Sequence, residues 1–406
     1  MSDPSAPRTE SVRGKHRACA MSRRDFLKAA AVTTITLAAA GTAQAQLKSD
    51  RKIRMGIVGG GFGAAFQWHL DPNCTVEAVS DLRTDRRAYL QKVYKCEKAY
   101  ESLEKLVGDP NIEAVAVFSG APDHVRHVVE VLNHGKHCIC AVPAAVTLEE
   151  CQLLKETKER TGLKYMMAET SYYRQPTMLA RQLWEDKKFG GFLYSEVEYY
   201  HNLAAGAERQ SLWFYQGKPT WRYAYPPMLY PTHSTCFHVG VTRERLTAVS
   251  CLGWGNDDPA LKDNPYNNPF LNMVALFKTS GTSICRCNVF WLVNAGGERA
   301  QWFGDKMSMY MGGSGGQPFV IKAAGQPDIT TCPDYLHLLP EPMRIPTGHG
   351  NSHGFLTHEF IAALVEGREP AVDVYEALAM TAPGIVAMES ARKGGEQLKV
   401  PSFDKA

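Results

Sequence analysis

Short apolar runs alternate with amphipathic segments between residues 52 and 170. The runs are rich in Val, Ile and Ala, while the segments between them repeat apolar residues at helical spacing. Buried strands separated by helices are typical of a parallel sheet covered on both faces, so this region predicts an α/β domain. The predicted strands are 52–59, 75–82, 112–119, 137–143 and 164–170, and the predicted helices are 84–95, 101–109, 124–135 and 147–162.

The pattern changes after about residue 190, where apolar and polar residues alternate with a period of two. This alternation is typical of antiparallel strands that bury one face. We therefore predict a second domain, of α+β type with a mostly antiparallel open sheet, over residues 171–406. Its predicted strands are 193–202, 246–255, 270–281, 282–292 and 301–312, and two helices, 353–368 and 374–395, close the chain.

The first 45 residues differ from both regions. Arg23 and Arg24, an apolar run over 29–40 and the small residues 43–45 follow the order of a twin-arginine signal peptide with its cleavage site. The apolar run is too short to span a bilayer, so we expect a cleaved leader and no stable membrane anchor. The pattern predicts export by the twin-arginine (Tat) machinery to the periplasm or beyond, with Met1 or Met21 as the start.

The basic balance of the chain comes from this leader. The whole chain has 45 Lys and Arg against 42 Asp and Glu, but the first 45 residues hold seven basic and three acidic residues, which leaves −1 on the remainder. That balance gives no indication of nucleic-acid binding. None of the eleven cysteines forms a C-x-x-C pair, so we expect buried free thiols rather than a zinc site.

A glycine-rich turn follows the first predicted strand. Gly59, Gly61 and Ala64 fit the pattern G-x-G-x-x-G/A. Its first glycine makes the turn, its second lets a pyrophosphate approach, and its third position allows a helix to pack closely. We therefore expect a helix directly after the turn, with the free N–H groups of its N-terminus facing the phosphates. Asp81 ends the second predicted strand 22 residues after Gly59, where an acid binds the ribose hydroxyls of NAD. We expect this loop, including Phe62, to bind the cofactor.

Three arginines follow Asp81, namely Arg83, Arg86 and Arg87. An arginine at this position can pair with a 2′-phosphate, so NADP stays an alternative to NAD. The glycine turn and the acid together predict an N-terminal Rossmann dinucleotide-binding domain over residues 46–170.

From about residue 52 to the end, the chain resembles the family of glucose-fructose oxidoreductase, inositol dehydrogenase and MocA. The resemblance rests on GIVGGGFG, on SGAPDHVRHVVEVLNHGKHCICAVPAAVTLEEC and on PPMLYPTHSTCFHVGVT. The family has Glu-Lys-Pro beside the nicotinamide, whereas this chain has Ala141-Val142-Pro143, so a valine replaces the catalytic lysine. The resemblance implies further cofactor-binding residues, which are Ser119, Gly120, Ala121, Pro122, His124, Val142 and Pro143.

A valine cannot exchange protons, and this departure is similar to a branch of the family that includes NAD-dependent glycosidases. Those enzymes oxidise a sugar hydroxyl transiently, eliminate the glycosidic substituent, add water and return the hydride. A tightly bound cofactor of this kind could be exported with the folded protein. The alternatives are a sugar-sugar oxidoreductase, an ordinary NAD(P)-dependent sugar or polyol dehydrogenase, and a non-catalytic sugar-binding protein. Any of these takes a small-molecule sugar as its partner, and the family implies a homo-oligomer.

His233 and Tyr230 are the predicted catalytic residues. They lie in Tyr-Pro-Thr-His, which resembles the motif that the family places near the nicotinamide, and a histidine suits proton transfer at neutral pH. A hydrogen-bonded core histidine is the alternative. The predicted substrate-binding residues follow the last strand of the first domain, at the crevice edge of a parallel sheet, or lie in later loops. They are Glu169, Tyr172, Tyr173, Arg174, Trp221 and His349.

The stretch 211–227 is dense in aromatic residues, which suit either a saccharide platform or a packed lid. His349 and His353 are four residues apart and His358 follows, but Gly350 and Gly354 argue against a continuous helix there. Neither carboxylates nor thiolates complete a ligand set, so we predict no metal site.

Overall fold

The computed structural model describes residues 49–203, 206–255, 257–313 and 315–405. The predicted leader, residues 1–45, lies outside these ranges. No helix within them is both long enough and apolar enough to cross a membrane. All ten cysteines in these ranges are unpaired, and nine of them are buried.

A six-stranded parallel sheet forms the first half, in the order β3-β2-β1-β4-β5-β6. The central strands are buried on both faces, which explains their continuous apolar sequence. Its strands are β1 Ile53–Val58, β2 Cys74–Ser80, β3 Ala99–Tyr100, β4 Ala114–Val117, β5 His137–Cys140 and β6 Tyr165–Met167. Its helices are α1 Thr84–Tyr94, α2 Leu103–Val107, α3 His124–Asn133 and α4 Leu148–Thr161.

The helix expected directly after the glycine turn is absent from this described region, so that prediction was wrong. Two short 3₁₀ turns, Phe62–Ala65 and Trp68–Leu70, replace it. Phe66 and Trp68 are both buried, and residues two apart lie on opposite sides of an α-helix, so one helical face could not bury both. A helix N-terminus consequently does not contribute to phosphate binding at this loop.

An eight-stranded sheet forms the second half, in the order β15-β14-β13-β7-β12-β11-β10-β16. All neighbours are antiparallel except β7 and β12, which are parallel. Its strands are β7 Phe192–Tyr200, β10 Leu246–Trp254, β11 Asn272–Thr279, β12 Ile284–Phe290, β13 Gly297–Gly304, β14 Met307–Tyr310, β15 Val320–Ala323 and β16 Leu398–Lys399. A small hairpin, β8 Phe214–Tyr215 with β9 Lys218–Pro219, lies outside it. The run predicted as one strand over 301–312 is a hairpin of β13 and β14, because Asp305 turns the chain.

The helices of this half are α5 Gln175–Glu185, α6 Gly206–Trp213, α7 Thr232–Thr242, α8 Ser352–Glu366 and α9 Val374–Arg392. Every residue of α7 is buried, because α7 packs against β7, β12, β13 and the segment Thr170–Tyr173 that follows β6. Helix α9 contacts elements of both sheets, including β6 and β10. The predicted fold class, a parallel nucleotide-binding sheet joined to a mostly antiparallel open sheet, is confirmed. The exact domain boundary stays a prediction.

Candidate active site

The glycine turn after β1 has little room for side chains. Gly59 has a φ of +99°, and a Cβ there would lie 2.3 Å from the carbonyl oxygen of Phe118. The N–H of Gly60 donates to Oδ2 of Asp81 at 2.7 Å, so the acid at the end of β2 lies directly beside the turn. The three atoms nearest to a Cβ on Gly61 would belong to the Arg86 guanidinium, at 3.5 to 3.8 Å, which is ordinary contact distance. This side of the loop therefore has space for a ligand.

These residues fit a dinucleotide, with a backbone loop for the phosphates and Asp81 for a ribose. Ala64 is half-buried in the 3₁₀ turn after the loop, and Phe62 is exposed above it. Arg83 pairs with Asp85 and lies over the ring of Tyr215, 3.9 Å from its centroid. It is therefore held beside the loop by two partners.

His124 ties together the loops that follow β4 and β5. Its Nδ1 lies 2.8 Å from the carbonyl oxygen of Pro143, and its Nε2 lies 3.1 Å from that of Ser119. The ring is buried, which lowers its pKa. Both partners are carbonyls and a neutral imidazole has one N–H, so His124 donates to one of these loops and only contacts the other, and its predicted contact with the cofactor stays a prediction.

The other loop residues lie around this link. Ala121 and Pro122 form a 3₁₀ turn that leads into α3. Val142 is buried, and its bond to Pro143 is cis. The ring of Trp221 lies against Gly120, where a Cβ would be 2.7 Å from Cδ1 of the tryptophan. Trp221 therefore joins the predicted cofactor loops from the second half of the chain.

A buried carboxylate and imidazole form the centre of the site. Glu169 follows β6 and His233 lies in the first turn of α7, and the Nδ1–H of His233 donates to Oε1 of Glu169 at 2.8 Å. Burial alone would lower the pKa of His233, but the negative charges of Glu169 and Glu298 outweigh it and raise this pKa. Glu169 is fully buried, so it orients His233 and is not placed to bind substrate as predicted.

A second buried carboxylate, Glu298 of β13, supports this pair. Arg174 binds both of its oxygens, with Nε to Oε2 and Nη2 to Oε1 at 2.6 Å each, and the Ser171 hydroxyl donates to Oε2 at 2.6 Å. Burial opposes ionisation, but Arg174, His233 and Ser171 lower the pKa of Glu298 to about 2. Sequence reasoning missed Glu298, although it shares the inward-facing side of its strand with Ala300 and Trp302.

Aromatic rings line the pair on the side of the second sheet. The ring centroids of Tyr199 and Tyr230 lie 4.8 and 5.3 Å from that of His233. The guanidinium of Arg222 lies over the Tyr230 ring at 5.6 Å. Tyr199 was not predicted; its inward position on β7 was the available signal.

Tyr172 and Tyr173 contact residues other than His233 and its carboxylate. Tyr172 is buried in the core, where its hydroxyl accepts from Arg243 at 2.7 Å and its ring lies under Arg181 at 3.7 Å. Tyr173 is half-buried and stacks on Phe355 with centroids 5.8 Å apart. The position of Tyr172 in the core does not agree with the predicted substrate contact.

Two further histidines extend the site towards the glycine turn. His349 Nδ1 lies 2.8 Å from Nε2 of His353, and the His349 ring lies 6.4 Å from that of His233. The ring of Phe62 contacts both, with centroids 5.7 Å from His349 and 5.4 Å from His353. Within the described ranges no group of three or more His, Cys, Asp or Glu has an arrangement that could hold a metal ion.

The fold and the site together are those of an NAD-binding oxidoreductase, with a dinucleotide loop beside a buried carboxylate–imidazole pair. Comparison with known proteins agrees. The model of the oxidoreductase family, NAD-binding Rossmann fold (Gfo/Idh/MocA), matches residues 53–169. Residues 53–169 are therefore similar to the NAD-binding domain of this family.

Relatives and solved structures match over most of the chain. A glycosyl hydrolase family 109 protein of Solibacter usitatus is 24% identical over a 437-residue alignment that covers 95% of this chain and 97% of the relative. A glycosyl hydrolase family 109 protein of Saccharopolyspora erythraea is 21% identical, over 88% of this chain and 84% of the relative. Levoglucosan dehydrogenase in complex with NADH superposes with a TM-score of 0.74 at 17% identity, over 87% of this chain and 100% of that one. Aldose-aldose oxidoreductase from Caulobacter crescentus, complexed with glycerol, superposes with a TM-score of 0.70 at 17% identity, over 86% of this chain and 100% of that one.

Proposed function

We propose that the protein acts on a sugar or glycoside with an NAD that stays bound and returns to its starting redox state in every cycle, and that it cleaves glycosides by transient oxidation. One observation carries the proposal: the buried Glu169–His233 pair supplies a proton-transfer group in a site where the family's lysine is Val142. The names of the two full-length relatives support glycoside cleavage, and the sugar-linked names of the structural neighbours support a sugar substrate.

When bound, NAD supplies a hydride acceptor that can return the hydride to the same carbon. The residues of this chain must then move protons, because the sugar hydroxyl, the carbon beside the transient ketone and the leaving group each lose or gain one. Val142 cannot do this. His233 can, and because its Nδ1–H is held by Glu169, the proton that it exchanges is on Nε2. Tyr230, which packs on His233, is the proposed partner for a sugar hydroxyl.

Retention of the cofactor is supported by the segment 206–225, which we name the aromatic arm. It reaches the nucleotide-binding half at two places: Tyr215 lies against Arg83, close to Asp81, and Trp221 lies against Gly120. These contacts flank the loops that would hold NAD. The Arg83 side chain is engaged with Asp85 and Tyr215, which favours NAD over NADP as the retained cofactor.

The proposal is tested by incubating the purified protein in D₂O with a panel of p-nitrophenyl α- and β-hexosides. The sugar that is released should carry one carbon-bound deuterium beside the oxidised carbon, since a proton removed there is replaced from solvent. A deuterium placed on the oxidised carbon of the substrate should be kept, because the same hydride leaves and returns. A released sugar without carbon-bound deuterium would indicate direct displacement. Accumulation of NADH without sugar release would indicate an ordinary dehydrogenase. Either result would overturn the proposal.

Export through the twin-arginine machinery is part of the proposal. It rests on the sequence of residues 1–45 and on chemistry, because a retained cofactor suits a compartment where soluble nucleotides are scarce. Replacing Arg23 and Arg24 with Lys should keep the protein in the cytoplasm. Unchanged export of that double variant would contradict the proposal.

A homo-oligomer is supported by the outer face of the second sheet. Leu252, Trp254, Leu276 and Ile284 share this face and are 61%, 39%, 51% and 38% exposed. Large apolar side chains clustered on one sheet face indicate an interaction surface. Sedimentation equilibrium should therefore give more than one chain per particle, and Leu252→Lys with Leu276→Lys should lower that number.

A further inference from the structure

The segment that carries His349 has an unusual backbone. His349, Gly350 and Asn351 are consecutive left-handed residues, with φ values of 54°, 64° and 72°. Left-handed conformation is uncommon outside glycine and persists where the surrounding structure requires it. Asn351 closes the turn, because its Oδ1 accepts from the N–H of Thr347 at 2.9 Å and its N–H donates to the carbonyl of Thr347 at 3.3 Å.

Gly348 allows His353 to approach this turn. A Cβ on Gly348 would lie 2.6 Å from Cε1 and 3.0 Å from Nδ1 of His353, so a larger residue would displace the ring. His353 lies in the first turn of α8 and is buried, whereas His349 is exposed in the cleft. The local structure therefore sets a buried imidazole directly behind an exposed one.

The partners of the two rings determine their tautomers. Nδ1 of His353 lies 3.1 Å from the carbonyl oxygen of Ala65, and a carbonyl can only accept, so this Nδ1 carries a hydrogen. A neutral imidazole has one N–H, so Nε2 of His353 accepts. It accepts from Nδ1 of His349 at 2.8 Å. The one remaining nitrogen, Nε2 of His349, is then unprotonated.

This assignment requires both rings to be neutral at pH 7, and their surroundings favour that state. Burial, the positive charge of His233 and the repulsion that a protonated His353 would add lower the pKa of His349 to about 4, although Glu298 opposes this and Arg174 adds to it. Burial, with a contribution from Arg174, lowers the pKa of His353 to about 4 as well, although its bond to the Ala65 carbonyl opposes this. Phe62 is the remaining close neighbour of both rings and has no charge.

We propose that His353 is a positioning residue that holds His349 in the Nδ1–H tautomer, and that Nε2 of His349 accepts a hydrogen bond from a hydroxyl of the sugar. This inference rests on the proposed function, because it assigns a substrate contact within the same cleft. His233 and His349 then offer the sugar opposite chemistry, a donor from the first and an acceptor from the second. Ala65 follows the cofactor-binding loop directly, so the acceptor is anchored to the segment that would hold NAD.

The tautomer is tested without any activity, by ¹⁵N NMR of protein labelled at its histidines. His349→Gln assigns the His349 signals. In the wild-type holoenzyme at pH 7, Nε2 of His349 should be of the unprotonated type and Nδ1 of the protonated type, and neither should change between pH 8 and pH 5. A protonated Nε2, or a titration of His349 near the ordinary histidine value, would overturn the assignment.

Two variants of His353 separate positioning from folding. In His353→Asn the amide can still donate to Ala65 but cannot reach His349, so both tautomers of His349 should appear. In His353→Gln the longer side chain offers an acceptor to His349, so the wild-type tautomer should be restored. A purely structural role would give the same result for both variants, and equal spectra would therefore contradict the proposal.

The substrate contact is tested with the p-nitrophenyl hexosides used above. A saturating glycoside should shift the Nε2 signal of His349, and His353→Asn should raise KM by about 3- to 10-fold with little change in kcat, as for the loss of one neutral hydrogen bond. If every glycoside leaves the Nε2 signal unshifted, the acceptor role is wrong. This result is independent of the isotope experiment, since a glycoside can bind to His349 without being oxidised. The substrate contact and the proposed function can therefore be disproved separately.

Discussion

Two histidine pairs meet in the cleft, and their partners give them different charge states, protonated for His233 and neutral for His349. His233 donates through Nδ1 to a carboxylate, Glu169, while His349 donates through Nδ1 to a second imidazole, His353. Glu169, His233 and His353 are buried and only His349 is exposed to the cleft, and burial by itself disfavours a charged ring. The carboxylate of Glu169 reverses this for His233, whose pKa is raised, whereas Glu298 does not outweigh it for His349, whose pKa falls to about 4. Side chains of one type can thus serve as acid and acceptor in one site.

The largest effect is expected from His233→Ala. Loss of the proton-transfer group should lower turnover by about 10²–10⁴-fold while NAD stays bound, because no residue of the nucleotide loop is changed. Turnover of p-nitrophenyl hexosides and the NAD content of the purified variant provide the measurement. His238→Ala is the matched control, since His238 is equally buried in α7 but bonds to Ser195. Equal turnover losses in both variants would remove His233 from the mechanism.

Glu169→Gln should convert the first pair into a neutral one like the second. Without the carboxylate, burial prevails and the pKa of His233 should fall below its ordinary value, so the ring is neutral at pH 7. We expect turnover to fall by about 10²-fold. In the plot of kcat against pH, the change that reports the ionisation of His233 should move to lower pH. NMR titration of His233 checks the shift. Glu359→Gln, which affects a buried carboxylate paired with Arg368, should leave that change in place.

The two pairs should also give folding stability opposite dependences on pH. His353 has a folded pKa of about 4, below its unfolded value, so the unfolded chain binds more protons and stability falls as the pH drops towards 4. His233 has a raised pKa, so its contribution is complete below the unfolded value and is lost as the pH rises through the folded one.

Urea unfolding at pH 7 and pH 5 measures this dependence. The free energy of unfolding of the wild type should fall between pH 7 and pH 5, and His353 should account for about 2 kcal/mol of this fall. The fall in His353→Gln should be smaller than in the wild type by that amount. Glu169→Gln removes the carboxylate that raises the His233 pKa. Its free energy of unfolding should therefore fall between pH 7 and pH 5 by at least as much as that of the wild type. An equal loss in wild type and His353→Gln would show that the second pair is not held neutral.

The parallel sheet could be predicted from sequence because strands buried on both faces have continuous apolar runs. The two-residue strand β3 has no such pattern, and the turn after Gly59 differs from a helix because Phe66 and Trp68 are drawn into the core together. Hydrophobic periodicity carries no information on these tertiary contacts.

The site was predictable only in part. His233 was recognised from its motif, but its partner Glu169 is 64 positions away, and no local pattern joins the two. The contact of His353 with His349 was not predicted, because it depends on a left-handed turn and on the carbonyl of Ala65, 288 positions from His353. Partners so distant in sequence set the charge of a histidine, and the fold alone brings them together.

The smallest expected effect separates the pairs directly. The ring of Phe62 contacts His349 and His353 with its centroid 5.7 and 5.4 Å from theirs, and an aromatic contact of this kind contributes about 0.5–1.5 kcal/mol. Phe62→Leu should therefore loosen the second pair, raise KM by about 2- to 10-fold and alter the His349 nitrogen signals. The pKa of His233 should not change, because Phe62 does not pack on it. Phe118→Leu is the control, since Phe118 contacts Phe62 at 5.7 Å but neither histidine of the pair. If Phe62→Leu shifts the pKa of His233 as well as the nitrogen signals of His349, the two pairs act as one coupled unit.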